Sequence, residues 1–273
     1  MANEAALNPG ATARLPSPAL LRAARSPWLI GAAALLALCL YWATTDSAPA
    51  AIVHLWKWLP ALLRGLWVNI EISVLAVAIG TVVGLVLGAL SLSPSQTVRT
   101  GVRWYVQLFR NAPILVLIYF TTYVFPFEVK LVSWSFPFPD WIKVVLGLAL
   151  PTSANVAEIF RGAIQSIPSA QWEAAQSLAF RRSQIFRLIV LPQCVRRMLP
   201  PWMNLYASIT MSTSLASLVG VHDVVDTAQI ASNTVARTDF TILVYFTLLA
   251  LFFAYCYPIA RFTRKLERRH ENH

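Results

Sequence analysis

The chain has 273 residues, of which 57% are apolar and 12% are charged, whereas soluble domains average about 45–50% apolar and about 25% charged residues. Lys and Arg number 22 against 12 Asp and Glu, which gives a net charge of +10. This composition argues against an ordinary soluble enzyme or nucleic-acid-binding domain and indicates a membrane protein whose cations lie along the membrane surface.

Six apolar runs are candidates to cross a bilayer, which requires about 20 residues in a helix. We predict transmembrane helices at residues 28–43, 66–90, about 104–124, 141–163, 202–219 and 240–260. The first follows three arginines, as in a signal peptide, but its late start indicates a retained anchor. Residues 1–26, rich in Ala, Pro and Ser, are predicted to form a flexible tail.

The distribution of cations predicts the orientation of these helices, because cytoplasmic segments of membrane proteins are enriched in Lys and Arg. With the N-terminus inside, the cations that fall outside are Lys57, Arg64, Lys130, Lys143 and Arg237. The others lie mostly in segments that would face the cytoplasm. We therefore predict cytoplasmic N- and C-termini and an even number of spans.

Three glycines lie one turn apart in the second span: Gly80, Gly84 and Gly88. Such spacing makes a flat helix face that another backbone can approach closely. We predict that this face packs inside the bundle or at a dimer seam.

Pro151 is predicted to interrupt the fourth span near its middle, where Thr152, Ser153 and Asn155 follow. Proline removes a backbone donor, and the freed carbonyl must be satisfied by protein or water. Because transporters place such discontinuities along the substrate route, Thr152, Ser153 and Asn155 are candidates to line it. The alternative is a simple kink satisfied by Thr152 or Ser153.

The longest predicted cytoplasmic loop, about residues 164–198, is interrupted by Pro168 and Pro192. Residues 171–180 contain good helix formers, and Ser183 is a candidate cap for a second short helix at residues 184–191. A helical element that projects from a membrane bundle offers a partner protein a place to bind.

The fifth span is predicted to start at Pro200-Pro201 and carries many hydroxyl groups. Asn204, Ser208 and Ser212 recur every four residues and form one stripe. Lipid cannot surround such a helix, so we predict a central position and a polar pathway wall suited to a polar solute. Hydrogen bonding between helices is a compatible alternative.

Two carboxylates lie near the ends of spans, Glu71 near the outer surface and Glu158 near the inner one. Ionisable groups in spans are functional candidates. For Glu158 we favour a local ion pair with Arg161, three residues later on the same helix.

Residue patterns for chemistry are lacking. No Lys follows a Gly, as a P-loop requires, and the four His make no metal-ligand pair on one helical face. The three Cys are far apart and predict neither a disulfide framework nor a metal site. A membrane enzyme therefore ranks last among the possible functions.

Four segments carry a resemblance to a known family. Residues 171–179, Gln-Trp-Glu-Ala-Ala-Gln-Ser-Leu-Ala, with 189–193, Ile-Val-Leu-Pro-Gln, resemble the "EAA" loop of permease subunits of binding-protein-dependent ABC importers. Residues 109–113, 157–162 and 213–217 are similar to motifs of the polar amino-acid branch, which serves histidine, glutamine, arginine and opines. The resemblance covers about residues 63–269.

The resemblance implies an all-α polytopic membrane helix bundle with the type I ABC importer fold in the bacterial inner membrane. Its five-helix core would occupy residues 63–262. The span at residues 27–45 would be an additional N-terminal helix, and residues 263–273 a basic cytoplasmic tail.

The resemblance also implies partners. The loop would form a coupling helix that docks in a cleft of a cytoplasmic ATPase, with Glu173 as the charged contact and Ala174 and Ala175 allowing close approach. The expected coupling residues are Gln171, Glu173, Ala174, Ala175, Ser177, Leu178 and Ala179. Two ATPase subunits would bind ATP and Mg²⁺, so this chain would need no cofactor. A second permease subunit, identical or homologous, and a solute-binding protein would complete the importer, without nucleic acid.

The sequence departs from the family pattern at several positions. Ala170 and Ala179 stand where Gly is usual, Met211-Ser212 replaces a Lys plus Asn or Asp, and Asn155 replaces an aromatic residue. The last two leave open an importer of the same superfamily with a non-amino-acid cargo. An ATP-independent secondary transporter or channel is the alternative from another class.

Overall fold

The computed structural model describes residues 48–131 and 134–271. The chain divides into two compact units, Met1–Val53 and His54–His273. Of the first unit only residues 48–53 are described, and they begin a helix. The predicted tail at residues 1–26 and the predicted first span lie outside the described residues.

Helices dominate the described residues, which confirms the predicted all-α class. The helices are α1 (Ala48–Leu90), α2 (Gln96–Asn111), α3 (Ile114–Val124), α4 (Asp140–Gln165), α5 (Ser169–Ser177), α6 (Arg182–Ile185), α7 (Leu191–Ser212), α8 (Val224–Val235) and α9 (Thr238–Glu271). A π-helical turn, Phe186–Val190, joins α6 to α7, and a 3-10 helix, Thr213–Val219, follows α7. Between α3 and α4, strands β1 (Glu128–Leu131) and β2 (Trp134–Pro137) pair as an antiparallel hairpin that was not predicted.

Among the described residues, three helices are long and apolar enough to cross a membrane: α1, α4 and α9. They contain the predicted second, fourth and sixth spans. Helix α1 begins well before residue 66 and continues through Pro60, and α9 continues past residue 260. The long apolar runs therefore predicted the positions of these three helices correctly. The helices themselves extend beyond the apolar runs.

The predicted third span is not one helix, and that prediction was wrong. The chain breaks between α2 and α3, where Ala112 has extended backbone angles (φ −74°, ψ 135°). Pro113 disfavours a helical conformation in the residue before it, so α2 ends at Asn111 and α3 starts anew. Helix α3 is mostly apolar, whereas α2 carries three arginines.

The predicted interruption of the fourth span at Pro151 is also wrong, because α4 is continuous through it. Polar side chains next to the proline donate to carbonyls of the preceding turn. Thr152 Oγ1 donates to Leu148 O at 2.6 Å, and Ser153 Oγ donates to Leu150 O at 2.7 Å. These two carbonyls therefore accept a side-chain hydrogen bond close to the proline, which itself lacks a backbone donor.

The fifth span starts nine residues earlier than predicted, since α7 begins at Leu191 and runs through Pro200-Pro201. The predicted cap at Ser183 is wrong as well. The preceding helix starts at Arg182, and Gln184 Oε1 accepts a hydrogen bond from Arg181 N at 2.8 Å. One helical path thus leads from the loop predicted to be cytoplasmic into the fifth predicted span.

Helix α4 packs against the glycine face of α1. A Cβ atom on Gly80 would lie 2.5 Å from Thr152 Cγ2, and one on Gly88 would lie 2.7 Å from Phe160 Cδ1. A Cβ on Gly84 would lie 2.6 Å from the backbone oxygen of Ser153. Since successive glycines meet successively later residues of α4, the two helices run parallel and end on the same side of the bundle.

Candidate functional site

Helix α5 lies where the sequence predicted a coupling helix. Glu173 and Ala174 are exposed on its outer side. Ala175, rotated about 100° from Ala174, is only 3% exposed and packs in a cluster with Ala163, Ile185 and Cys194. The predicted role of Ala175 in contacting a partner is therefore not supported by its placement, because its side chain contacts the chain's own core.

Two side-chain contacts hold α5 and the turn before it onto α7. Gln193 Nε2 on α7 donates to Gln171 Oε1 at 2.6 Å. Arg197 Nη1 donates to the backbone oxygen of Ser166 at 2.6 Å and to its hydroxyl at 2.9 Å. These contacts join α5 and the turn before it to the N-terminal part of α7.

The turn after α5 exposes one large apolar side chain, Leu178, which is 73% exposed. Ser177 Oγ donates to Glu173 O at 3.0 Å and so faces the helix backbone. Ala179 follows with φ of +57°, in the left-handed region. That conformation costs a non-glycine residue about 1–2 kcal/mol, which gives a physical reason for the Gly that the resemblance leads us to expect here. We call the exposed Glu173, Ala174 and Leu178 the coupling surface.

The predicted polar stripe on α7 lies on the open side of that helix. Asn204 and Ser208 are exposed, and Ser212 is half-buried with its hydroxyl donating to Ser208 O at 3.0 Å. Met211, 54% exposed, lies beside them, while Ile209 on the opposite face is buried. Exposed amide and hydroxyl groups on a helix that lies in a membrane normally face protein or a water-filled cavity rather than lipid.

The candidate route residues of α4 do not join this stripe. Thr152 and Ser153 are buried in the contact with α1, and the hydroxyl of Ser153 also lies 2.8 Å from Tyr105 Oη. Asn155 donates to Pro151 O at 2.8 Å and lines a different cavity, beside α2. The hydroxyls of Thr152 and Ser153 bond to Leu148 O and Leu150 O, whereas the carbonyl that Pro151 leaves without its helical donor is that of Gly147. The alternative, a kink satisfied by Thr152 or Ser153, therefore stays a prediction.

Glu158 forms the predicted local ion pair with Arg161, with Oε2 at 2.6 Å from Nη2. The same oxygen lies 3.5 Å from Arg110 Nη1 on α2. The sequence did not predict this second partner, because the pairing depends on how α2 packs against α4. The other candidate carboxylate, Glu71, accepts a hydrogen bond from the indole of Trp67, one turn earlier.

A buried network that the sequence did not predict links α1 to the segment after α7. Asn69 Nδ2 donates to Thr213 Oγ1 and to Asp223 Oδ2, each at 3.0 Å. Asn69 Oδ1 accepts from Val224 N, also at 3.0 Å. Asn69, Thr213 and Asp223 are all fully buried. One side chain of α1 therefore fixes both the 3-10 helix and the start of α8.

Asp223 is also the N-cap of α8. Its Oδ1 accepts from Val225 N at 2.9 Å and from Asp226 N at 2.8 Å. Burial raises the pKa of Asp223 to about 6, although hydrogen bonds from Asp226 N, Asn69 and Val225 N act in the opposite direction. An Asp before a helical segment is a recognisable cap, but its contact with α1 was not visible in the sequence.

Within the part of the chain that the structure describes, no three His, Cys, Asp or Glu side chains gather into a possible metal site. Cys194 and Cys256 are both free thiols. The described side chains discussed above thus take part in packing contacts, ion pairs and polar surfaces.

Comparisons with known proteins agree with this architecture. The family described as "Binding-protein-dependent transport system inner membrane component" matches residues 80–271. The octopine transport system permease protein OccM of Rhizobium radiobacter is 33% identical over 216 residues, covering 78% of this chain and 87% of the relative. The probable amino-acid ABC transporter permease protein YckA of Bacillus subtilis (strain 168) is 30% identical over 215 residues, covering 78% and 91%. A solved structure, described as a crystal structure of an amino acid ABC transporter with histidines, superposes with a TM-score of 0.69 at 25% identity, covering 80% of this chain and 97% of that chain.

Proposed function

The chain belongs to the family of binding-protein-dependent transport system inner membrane components, and we propose that it is the permease subunit of an ABC importer that moves a polar amino acid or a related small polar solute into the cytoplasm. The family match extends over the C-terminal part of α1, from Gly80 onward, and over all later helices. Membership accounts for the three apolar helices that can cross a membrane.

The cargo class is inferred from two sources. The relatives are named for octopine and for amino acids, and the solved neighbour is described as holding histidines. Independently, the open face of α7 offers an amide and hydroxyls, Asn204, Ser208 and Ser212, beside the exposed Met211. Small polar groups suit a zwitterionic or otherwise polar solute.

A second permease subunit, identical or homologous, is proposed to cover this face. The stripe on α7 is uncovered within one chain, and polar side chains in a membrane normally face protein or water. The solute would then cross between the two subunits, along Asn204, Ser208 and Ser212. Thr152 and Ser153 would support α4 rather than contact the solute.

The coupling surface is proposed to bind the partner ATPase. The exposure of this surface is the observation that carries the proposed function. Glu173, Ala174 and Leu178 face outward, while Gln171 and Ala175 hold α5 against its own chain. Two ATPase subunits would bind ATP and Mg²⁺, and a solute-binding protein would deliver cargo on the other side. The cation distribution supports a cytoplasmic position for this surface, and we propose the bacterial inner membrane as the location of the chain.

The contacts between α5 and α7 suggest how motion reaches the solute. Closure of the ATPase would shift α5, and the bonds from Gln193 and Arg197 would carry that shift into α7. Helix α7 has 22 residues and is about 33 Å long, so it connects the cytoplasmic contacts to the polar stripe. Movement of the two permease subunits about their shared cavity would give alternating access.

The proposal is tested by reversing the charge of the coupling surface. We expect Glu173→Lys to insert and fold normally but to lose co-purification of the ATPase and ATP-driven uptake in proteoliposomes. The matched control is Glu128→Lys, which makes the same charge change at an exposed residue of the β1–β2 hairpin. It should retain uptake. Undiminished uptake by Glu173→Lys would refute the coupling role.

Cargo is tested separately from coupling. The assay measures uptake into vesicles that contain the assembled importer. Histidine, glutamine, arginine and an opine form one group of competing solutes, and sugars and peptides form the other. Competition by the amino-acid group alone supports the proposed cargo. Competition only by the sugars or peptides would contradict it while leaving the coupling role intact.

A further inference from the structure

A polar cavity of about 580 Å³ lies between the end of α1, α2 and α4. Its charged lining consists of Arg103, Arg110, Arg161 and Glu158. Glu158 pairs with Arg161 at 2.6 Å and with Arg110 at 3.5 Å. Arg103 makes no ion pair with any residue that the structure describes. One carboxylate therefore faces three guanidinium groups, and the excess positive charge favours an anionic ligand.

The cavity opens at one membrane face. Helices α1 and α4 run parallel, as the glycine contacts show, so their C-terminal ends lie on the same side. Ser91 and Leu92, which directly follow α1, line the cavity, as does Gln165, the last residue of α4. The apolar runs predicted at residues 66–90 and 141–163 end at this level. Because the hydrocarbon gives way to lipid headgroups where such runs end, the cavity is at the depth of headgroup phosphates.

Apolar side chains lie exposed next to this basic cavity. On α2, Trp104 is 70% exposed and Leu108 is 62% exposed. Leu92, at the cavity, is 44% exposed. A free inorganic anion would satisfy the arginines but leave these side chains uncovered. An amphiphile with an anionic head covers both, and basic cavities between transmembrane helices are known to hold such headgroups.

We propose that this cavity binds the phosphate headgroup of an anionic phospholipid of the cytoplasmic leaflet. Arg103 supplies the unpaired guanidinium that bonds the phosphate, and Arg161 contributes while held by Glu158. The acyl chains lie along Trp104 and Leu108. The assignment to the cytoplasmic leaflet rests on the orientation given under the proposed function, whereas lipid binding itself does not require transport.

Native mass spectrometry of the purified full chain tests the proposal. The chain is incubated with phosphatidylglycerol or with phosphatidylcholine, and the retained lipids are counted. We expect a preference for phosphatidylglycerol that Arg103→Gln weakens about fivefold, since one arginine near a membrane surface contributes about 1 kcal/mol. The control Arg187→Gln removes the same charge from an exposed arginine outside the cavity and should keep the preference. Trp104→Ala should lower retention of both lipids.

Further arms separate the possible sources of the phosphate and the possible failures. Equal retention of phosphatidylglycerol by the parent chain, Arg103→Gln and Arg187→Gln would overturn the site. Displacement of phosphatidylglycerol by millimolar inorganic phosphate would overturn the lipid assignment in favour of a free anion. Absence of any lipid preference together with normal ATP-driven uptake would refute only this inference. A preserved preference together with ATP-independent uptake would support the lipid site and refute the proposed function.

Discussion

Removing the side chain of Asn69 should produce the largest loss of stability among single polar substitutions in α1. Asn69→Ala deletes hydrogen bonds to Thr213 and Asp223 and the acceptor for Val224 N, each 3.0 Å long. A neutral bond contributes about 1 kcal/mol and one to a carboxylate about 2 kcal/mol, so the loss is about 4 kcal/mol. For a chain of this size that corresponds to a fall in Tm of about 10 °C.

The assay is thermal unfolding of the purified chain in detergent, followed by the fluorescence of its tryptophans. The matched control is Ser73→Ala, one turn later on the same helix and equally buried. Its hydroxyl donates only to Ile70 O, at 2.8 Å, within the helix. The control should shift Tm by a small fraction of the Asn69→Ala effect. Equal Tm shifts for the two variants would show that the hydrogen bonds between Asn69 and Asp223 do not stabilise the contact of α1 with α8.

Two further substitutions test packing and pH dependence. Gly84→Ala places a Cβ atom 2.6 Å from the backbone oxygen of Ser153 and should lower the free energy of unfolding by about 1–3 kcal/mol. The control Gly101→Ala, whose Cβ would have nothing within 4 Å, should raise it by about 0.5–1 kcal/mol. Tm shifts of the same sign for the two variants would contradict the packing of α1 against α4. For Asp223, burial raises the pKa from 3.8 to about 6, so its stabilising contribution is complete below about pH 4 and is lost as pH rises through 6. The free energy of unfolding of the parent chain relative to Asp223→Asn should therefore fall by about 3 kcal/mol between pH 4 and pH 7, and a pH-independent difference would refute the assignment.

Prolines account for most of the differences between predicted and observed helices. Pro113 separates two helices, whereas α4 and α7 continue through Pro151 and Pro200. The sequence shows which backbone donor is missing, but not whether neighbouring groups satisfy the freed carbonyl. At Pro151 the hydroxyls of the next two residues bond to carbonyls of the preceding turn, and the helix persists.

The family motifs predicted the position of a short helix more reliably than the orientation of its individual side chains. They predicted a short helix around Glu173, and α5 forms there. They did not predict that Ala175 faces inward while Ala174 faces outward, because this depends on how α5 docks on its own chain. The bonds from Asn69 to Asp223 join residues 154 positions apart, and a single sequence contains no local signal for such a pair.

The most direct test of the account measures solute accumulation in proteoliposomes that contain this chain, with and without its ATPase partner. The account predicts that solute is concentrated only when the ATPase, hydrolysable ATP and the solute-binding protein are all present. Accumulation by the chain alone, driven by an ion gradient, would contradict it.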